Sequence, residues 1–269
     1  MANAPAQTGY APVNGLNMYY EIQGEGSPLV LLHGAYGWVD SDEPLLKGLA
    51  QTRQVIAVEL QAHGRTADID RPITYEHMAD DVEALMGYLN IDRADIFGYS
   101  MGGAGAVQVA LRHPERVRKL VCVSAGIAST GAYSEMYDVI ETITPDVFAG
   151  SPMEEAYLRL APDPKAFPNL VEKLKVLDMT PFDWSAKIVQ ATLPPILIVI
   201  GDSDIVRPEH AVEMFRLFGG GVMGDLAGNP PSQFAILPNT NHMGMFLERA
   251  DPLVALAVPF LDAPLPEAE

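Results

Sequence analysis

The sequence predicts an α/β fold: a mostly parallel, twisted sheet with helices on both faces and a helical insertion near its middle. Three observations predict it. Continuous apolar runs such as Pro28-Leu29-Val30-Leu31-Leu32, Val55-Ile56-Ala57-Val58 and Ile196-Leu197-Ile198-Val199-Ile200 read as strands covered on both faces. Stretches with helical periodicity alternate with these runs, the rhythm of parallel strands joined by crossover helices. The rhythm stops over residues 125–192, where prolines at 145, 152, 162, 164, 168 and 181 divide the chain into short helical pieces. The chain therefore divides into a first core part (1–124), a cap insertion (125–192) and a second core part (193–269).

In order, residues 10–13 and 16–23 are short strands joined at Asn14-Gly15, a dipeptide suited to the positive φ angles of a tight hairpin. The apolar strand at 28–32 ends in His33-Gly34-Ala35-Tyr36-Gly37. A helix at 45–50, a buried strand at 55–58 and a polar loop at 59–71 follow. Thr74 caps a helix that turns Met78, Val82, Leu85, Met86 and Leu89 inward and Asp80, Asp81 and Glu83 outward. A strand from Ala94 leads into Gly98-Tyr99-Ser100-Met101-Gly102-Gly103, and the helix beginning at Met101 is stopped by Pro114. Residues 117–124 form another strand. The insertion is rich in large apolar side chains (Tyr137, Phe148, Tyr157, Phe167, Phe182 and Trp184 among them), about half serving as packing and the rest lining an apolar pocket over Ser100. Beyond it come a strand at 195–200, a helix at 208–218, a loop at 219–231, a strand at 234–237 and a closing helix at 246–261.

Composition excludes several functions. Seventeen Lys and Arg against 35 Asp and Glu give a formal net charge of −18, which argues against nucleic acid or an anionic membrane as partner and disfavours anionic substrates. Cys122, the single cysteine, rules out an intrachain disulfide and reads as an inert core thiol in an apolar strand. Residues 1–6 carry neither a basic segment nor an apolar run, so no secretory signal is visible, and a cytoplasmic location is the default expectation. No cluster has metal-ligand spacing and no glycine loop suits a phosphate, so no metal and no cofactor is expected. The sequence leaves the oligomeric state open.

Gly98, Ser100 and Gly102 form G-x-S-x-G on a strand-to-helix turn. A serine at so tight an apex is forced to a strained backbone angle that lifts its hydroxyl clear of the sheet, and the helix start beside it offers unpaired N–H groups to an oxyanion. Alone, the pattern arises by chance in roughly one chain of this size in ten. Here it is accompanied by Gly201-Asp202-Ser203-Asp204, Asn241-His242-Met243-Gly244 and His33-Gly34, each after a strand. A serine nucleophile needs a base, and the base an orienting carboxylate.

On these motifs the chain resembles the single-domain bacterial α/β-hydrolases with a helical cap, from about residue 10 to 261. The resemblance implies Ser100 as nucleophile, Asp204 as orienting acid and His242 as base, with the backbone N–H groups of Ala35 and Met101 forming the oxyanion hole. Asp202 competes for the acid role, but the G-x-x-D spacing favours Asp204. The family pattern is broken at Glu59-Leu60-Gln61-Ala62-His63-Gly64, where Asp and a glycine pair are usual, and the turn after His33-Gly34 lacks the proline of haloperoxidase-like perhydrolases. His33 and His63 read as structural, and His77, His113 and His210 as solvent-facing. The resemblance implies a carboxylic ester hydrolase (esterase) acting on small, mainly uncharged esters through an acyl-enzyme. A lactonase or carbon–carbon bond hydrolase on the same triad, or a slow-turnover receptor of the same fold, are the alternatives.

Overall fold

The structure, a computed structural model, describes residues 7–265. The amino-terminal six residues, read above as a start without a signal segment, lie outside the described residues.

The strands are β1 (Gln7–Val13), β2 (Leu16–Gln23), β3 (Ser27–Leu32), β4 (Arg53–Val58), β5 (Ala94–Tyr99), β6 (Val117–Val123), β7 (Ile196–Ser203) and β8 (Gln233–Asn241). They form one sheet in the order β1-β2-β4-β3-β5-β6-β7-β8. β1 pairs antiparallel with β2 and β2 with β4, while every pairing from β4 to β8 is parallel. The hairpin turn is built as its dipeptide predicts, with Asn14 at φ 48° and Gly15 at φ 87°.

Helices α1 (Glu43–Leu49), α2 (Tyr75–Tyr88) and α3 (Met101–Arg112) lie between the early strands. Between β6 and β7 come α4 (Ser134–Thr142), α5 (Pro152–Leu160), α6 (Phe167–Met179) and α7 (Ser185–Gln190), and no named strand. The remaining helices are α8 (Pro208–Leu217), α9 (Gly224–Ala227), α10 (His242–Glu248) and α11 (Ala250–Asp262). Alternate residues of each central strand serve opposite faces. Val30, Leu32, Ile56 and Cys122 join one buried cluster with α2, α3 and α8. Leu29, Leu31, Val55 and Val121 join the other with α1, α10 and α11. This period of two is what makes the runs continuous in apolar character. Burial pushes the Cys122 thiol up to about 12, leaving it protonated and inert.

Four expectations are corrected. Asp81 does not face solvent: it is buried and accepts from both Arg71 Nη1 (3.1 Å) and Nη2 (2.5 Å) and from Asn14 Nδ2 (3.0 Å), so a paired charge fastens α2 to the hairpin and the 59–71 loop. His210 is also buried, with Nε2 accepting the Ile127 N–H at 3.1 Å, which ties α8 to the start of the helical segment. The closing helix is two helices broken at Arg249, since Pro252 has no N–H to give the carbonyl of residue 248. The 219–231 loop contains the short helix α9.

At the β5–α3 turn the backbones nearly touch. A Cβ added at Gly98 would lie 2.1 Å from the Gly102 carbonyl oxygen, and one at Gly102 would lie 2.4 Å from that of Leu32. Nothing flexible can yield there. Gly98→Ala should therefore cost at least about 3 kcal/mol in urea denaturation. Gly87→Ala, near the exposed end of α2 with its nearest neighbour 3.6 Å away, should instead stabilise by about 0.5–1 kcal/mol.

Candidate active site

Five chain segments leave the carboxyl ends of parallel strands on one edge of the sheet, where α/β sheets assemble their sites. Ser100 follows β5 at φ 53° and ψ −119°, a strained conformation for a residue with a side chain. It is held from both sides, its N–H donating to Val123 O (2.9 Å) and its carbonyl accepting from Ala104 N–H (3.0 Å). The strained angle turns Oγ out of the sheet toward His242, whose Nε2 lies 2.9 Å away.

His242 sits at the junction of β8 and α10, and its Nδ1 lies 2.8 Å from Asp204 Oδ1. With Nδ1–H donating to the carboxylate, Nε2 is left as the acceptor for the Ser100 hydroxyl. Asp204 is buried, yet its carboxylate is well supplied with donors. Oδ1 accepts the Ile205 N–H (2.7 Å), and Oδ2 accepts the Ser124 hydroxyl (2.5 Å) and the Gly201 N–H (3.1 Å). Burial alone would raise its pKa; the bond and charge of His242, helped by Ser124 and Gly201, outweigh that and hold the carboxyl below its ordinary range. Asp204 is thus ionised wherever His242 needs it.

Asp202 stands apart from the imidazole. Its carboxylate is exposed and accepts the backbone N–H groups of Asn239 (2.8 Å) and Thr240 (3.0 Å), which shapes the end of β8. Those backbone bonds hold its pKa below the ordinary value.

Two residues of the arrangement escaped sequence reading. Ser124, at φ 52°, closes an apolar strand with the one hydroxyl that reaches Asp204. Tyr99 stacks on the His242 ring (centroids 5.2 Å apart) and donates its hydroxyl to the His242 carbonyl at 2.9 Å. The only signal for Ser124 was a polar residue ending an otherwise apolar run; Tyr99 occupies a variable position of the motif and gave none.

The Ala35 and Met101 amides have no hydrogen-bond acceptor among the described residues. The loop bearing Ala35 is held by two neutral imidazoles. His33 Nε2 accepts Leu60 N–H (3.1 Å) and its Nδ1 meets Gly34 O (2.7 Å); His63 Nε2 accepts Tyr36 N–H (3.2 Å) and its Nδ1 meets Gln61 O (2.8 Å). Burial lowers His33 to about 4 and His63 to about 3. Glu59, where the family pattern has Asp, is a buried anchor: it pairs with Arg65 (2.6 Å) and accepts Val39 N–H (3.2 Å), and burial raises its pKa against the pull of Arg65. Gly64 is required beside it, since a Cβ there would meet the Glu59 carboxylate at 2.3 Å. Among the described residues no three His, Cys, Asp or Glu side chains gather as a metal-binding group. No described helix is long and apolar enough to cross a membrane.

Residues 27–174 match the alpha/beta hydrolase fold family, more than half of the chain, and the chain belongs to that family. It is 31% identical over 135 residues to the sn-1-specific diacylglycerol lipase ABHD11 of Danio rerio, covering 49% of this chain and 42% of that protein. The chain spans about half the length, or less, of the curated relatives it matches. Among solved structures it is similar to carboxylesterase CesB from Bacillus subtilis (TM-score 0.72, 17% identity, covering 97% of this chain and 93% of that one). It is similar also to the enol-lactonase from Burkholderia xenovorans LB400 (TM-score 0.70, 22% identity, 94% and 100% covered). At such identities these two likenesses establish the fold.

Asp204→Asn keeps the size but can offer N–H₂ to the imidazole and favour the wrong tautomer; kcat against an activated ester should fall by about 10⁴. Asp202→Asn, away from the ring, should cost tenfold or less in the same assay, roughly the loss of one turn contact. The buried imidazoles make a second prediction. Between about pH 6.5 and 4 the unfolded chain takes up protons that His33 and His63 refuse in the fold, so stability is lost as pH falls through that window. The loss should be of order 3 kcal/mol per imidazole at its limit. Urea denaturation across pH should show it, with a flatter profile in His33→Gln.

Proposed function

We propose that the protein is a serine hydrolase of small carboxylic esters that lack negative charge near the scissile carbonyl. The observation that carries this reading is the unbroken relay from Ser100 Oγ through His242 to Asp204, with links of 2.9 and 2.8 Å. Ser100 Oγ attacks the ester carbonyl while His242 Nε2 takes its proton. The tetrahedral oxyanion is held by the Ala35 and Met101 amides, each such donor worth typically about 10²–10³ in rate. His242 then protonates the departing alcohol, leaving an acyl-enzyme on Ser100. Water, deprotonated by the same imidazole, releases the acid and restores the serine. Asp204 stays ionised throughout and stabilises the imidazolium in both halves.

A serine rather than a carboxylate at the elbow directs the reaction to acyl transfer. The helices between β6 and β7 act in this reading as a cap that shapes the site. Much of their aromatic content is packing: Phe148 and Phe167 lie edge to face at 5.7 Å, and Tyr157 packs on Phe167 at 5.1 Å. The apolar gap they leave above Tyr36 and His63 is about 10 Å³, too small for an acyl group.

Ser100→Ala should abolish release of p-nitrophenol from p-nitrophenyl acetate and butyrate by several orders of magnitude, with an unchanged melting temperature. A fluorophosphonate should label Ser100 alone, read by peptide mass spectrometry. A variant keeping a tenth of the activity would overturn the assignment of the nucleophile. Tight ester binding with almost no turnover in the unsubstituted protein would favour a receptor.

A further inference from the structure

The imidazole of His242 is engaged at both ring nitrogens. Nδ1 meets Asp204 Oδ1 at 2.8 Å and Nε2 meets Ser100 Oγ at 2.9 Å. Hydrogen bonds at ring nitrogens lie near the ring plane, so the approach that remains is over a face. Tyr99 occupies it: the two rings are stacked, with centroids 5.2 Å apart and planes 30° apart.

The Tyr99 ring is itself closely confined. It stacks a second time on Phe246, one turn further along α10, at 5.5 Å and 19°. Its hydroxyl donates to the His242 carbonyl at 2.9 Å. On the loop that bears Ala35, a Cβ added at Gly34 would lie 2.8 Å from Tyr99 Cδ1 and 2.9 Å from Cε1, so the residue after His33 is small because this ring is large. Burial, aided by the charges of Asp204 and Asp42, raises the pKa of the Tyr99 hydroxyl above its ordinary value and keeps it a neutral donor.

The placement matters when the imidazole gains a proton. A cation within about 6 Å of an aromatic centroid is attracted to the face of the ring, more strongly where water is excluded. The His242 side chain is only 16% exposed. Asp204 meets the imidazolium charge in the plane of the ring, and the π face of Tyr99 meets it from above. A neutral imidazole gains little from the same contact. The interaction therefore grows as the proton moves, which is the kind that lowers a barrier without tightening substrate binding.

We propose that Tyr99 is a positioning residue that acts on the reaction through His242: its ring face stabilises the imidazolium formed in each proton transfer, and its hydroxyl fixes the backbone that carries the imidazole. This rests on the serine-hydrolase reading above. Tyr99 exchanges no proton and bonds to no substrate; the proton passes between Ser100 Oγ, or the attacking water, and His242 Nε2.

The test separates the ring face from its shape. Tyr99→Phe keeps the face and loses the hydroxyl bond, and kcat with p-nitrophenyl butyrate should fall by about fivefold or less. The same substitution is then made with one, two and three fluorines on the phenyl ring, which withdraw density from the face while nearly preserving its shape. Along that series log kcat should decline steadily, by about fivefold or more in total, with KM within about twofold. Tyr99→Leu, which fills space without a π face, should behave as the end of the series. A flat series, or one in which KM alone rises, means that the ring only packs on the imidazole and overturns the proposal. The rate at which a fluorophosphonate labels Ser100 needs the same proton transfer but no ester, and it should fall in parallel. Labelling that ignores fluorination also overturns the proposal. Should no ester be turned over while labelling still follows the series, the ester reading falls and the role of Tyr99 stands.

Discussion

The close approach of three backbone segments, the exit of β5, the first turn of α3 and the end of β3, is the constraint on which the rest depends. No side chain fits at Gly98 or Gly102, and this contact forces Ser100 to φ 53°. The strain is held by the Ser100 N–H donating to the Val123 carbonyl, by the Ala104 N–H donating to the Ser100 carbonyl, and by the buried sheet beneath. Every other functional group reaches the serine from a neighbouring strand end. The parallel order β3-β5-β6-β7-β8 sets their sequence across the edge: the Ala35 amide, the Ser100 hydroxyl, the Ser124 hydroxyl, the Asp204 carboxylate and the His242 imidazole.

The electrostatics of this edge divide labour by solvation. Asp204 is buried and kept ionised by four donors, a carboxylate whose solvent has been replaced by fixed dipoles. His33 and His63 are buried without a counter-charge and stay neutral, acting as acceptors for backbone amides.

The alternation of strands and helices, the elbow and the grouping of Ser100, Asp204 and His242 were legible in the sequence because each rests on local rules: continuous apolar runs, the glycine spacing, polar residues directly after a strand. What escaped it depended on contacts distant in the chain. Asp81 reads as an outward residue on its own helix, and only Arg71 and Asn14 explain its burial. His210 reads the same way until Ile127 is brought against it from 83 positions earlier. Ser124 and Tyr99 have roles defined by partners 80 and 143 residues away. The break at Arg249 was local, marked by Pro252, but the apolar periodicity on either side masked it.

The placement of Tyr99 has a mechanical consequence. It is the residue before Ser100, and it grips His242 twice, by ring stacking and by its hydroxyl on the His242 carbonyl. Ser100 and His242 are thereby referenced to a single short piece of β5, though they are 142 residues apart in sequence. In the proposed reaction this common anchor would let the β8–α10 junction and the elbow shift together, so that the 2.9 Å gap between Ser100 Oγ and His242 Nε2 changes less than either part moves. The relative placement of the two side chains comes here from a common mounting on one strand end.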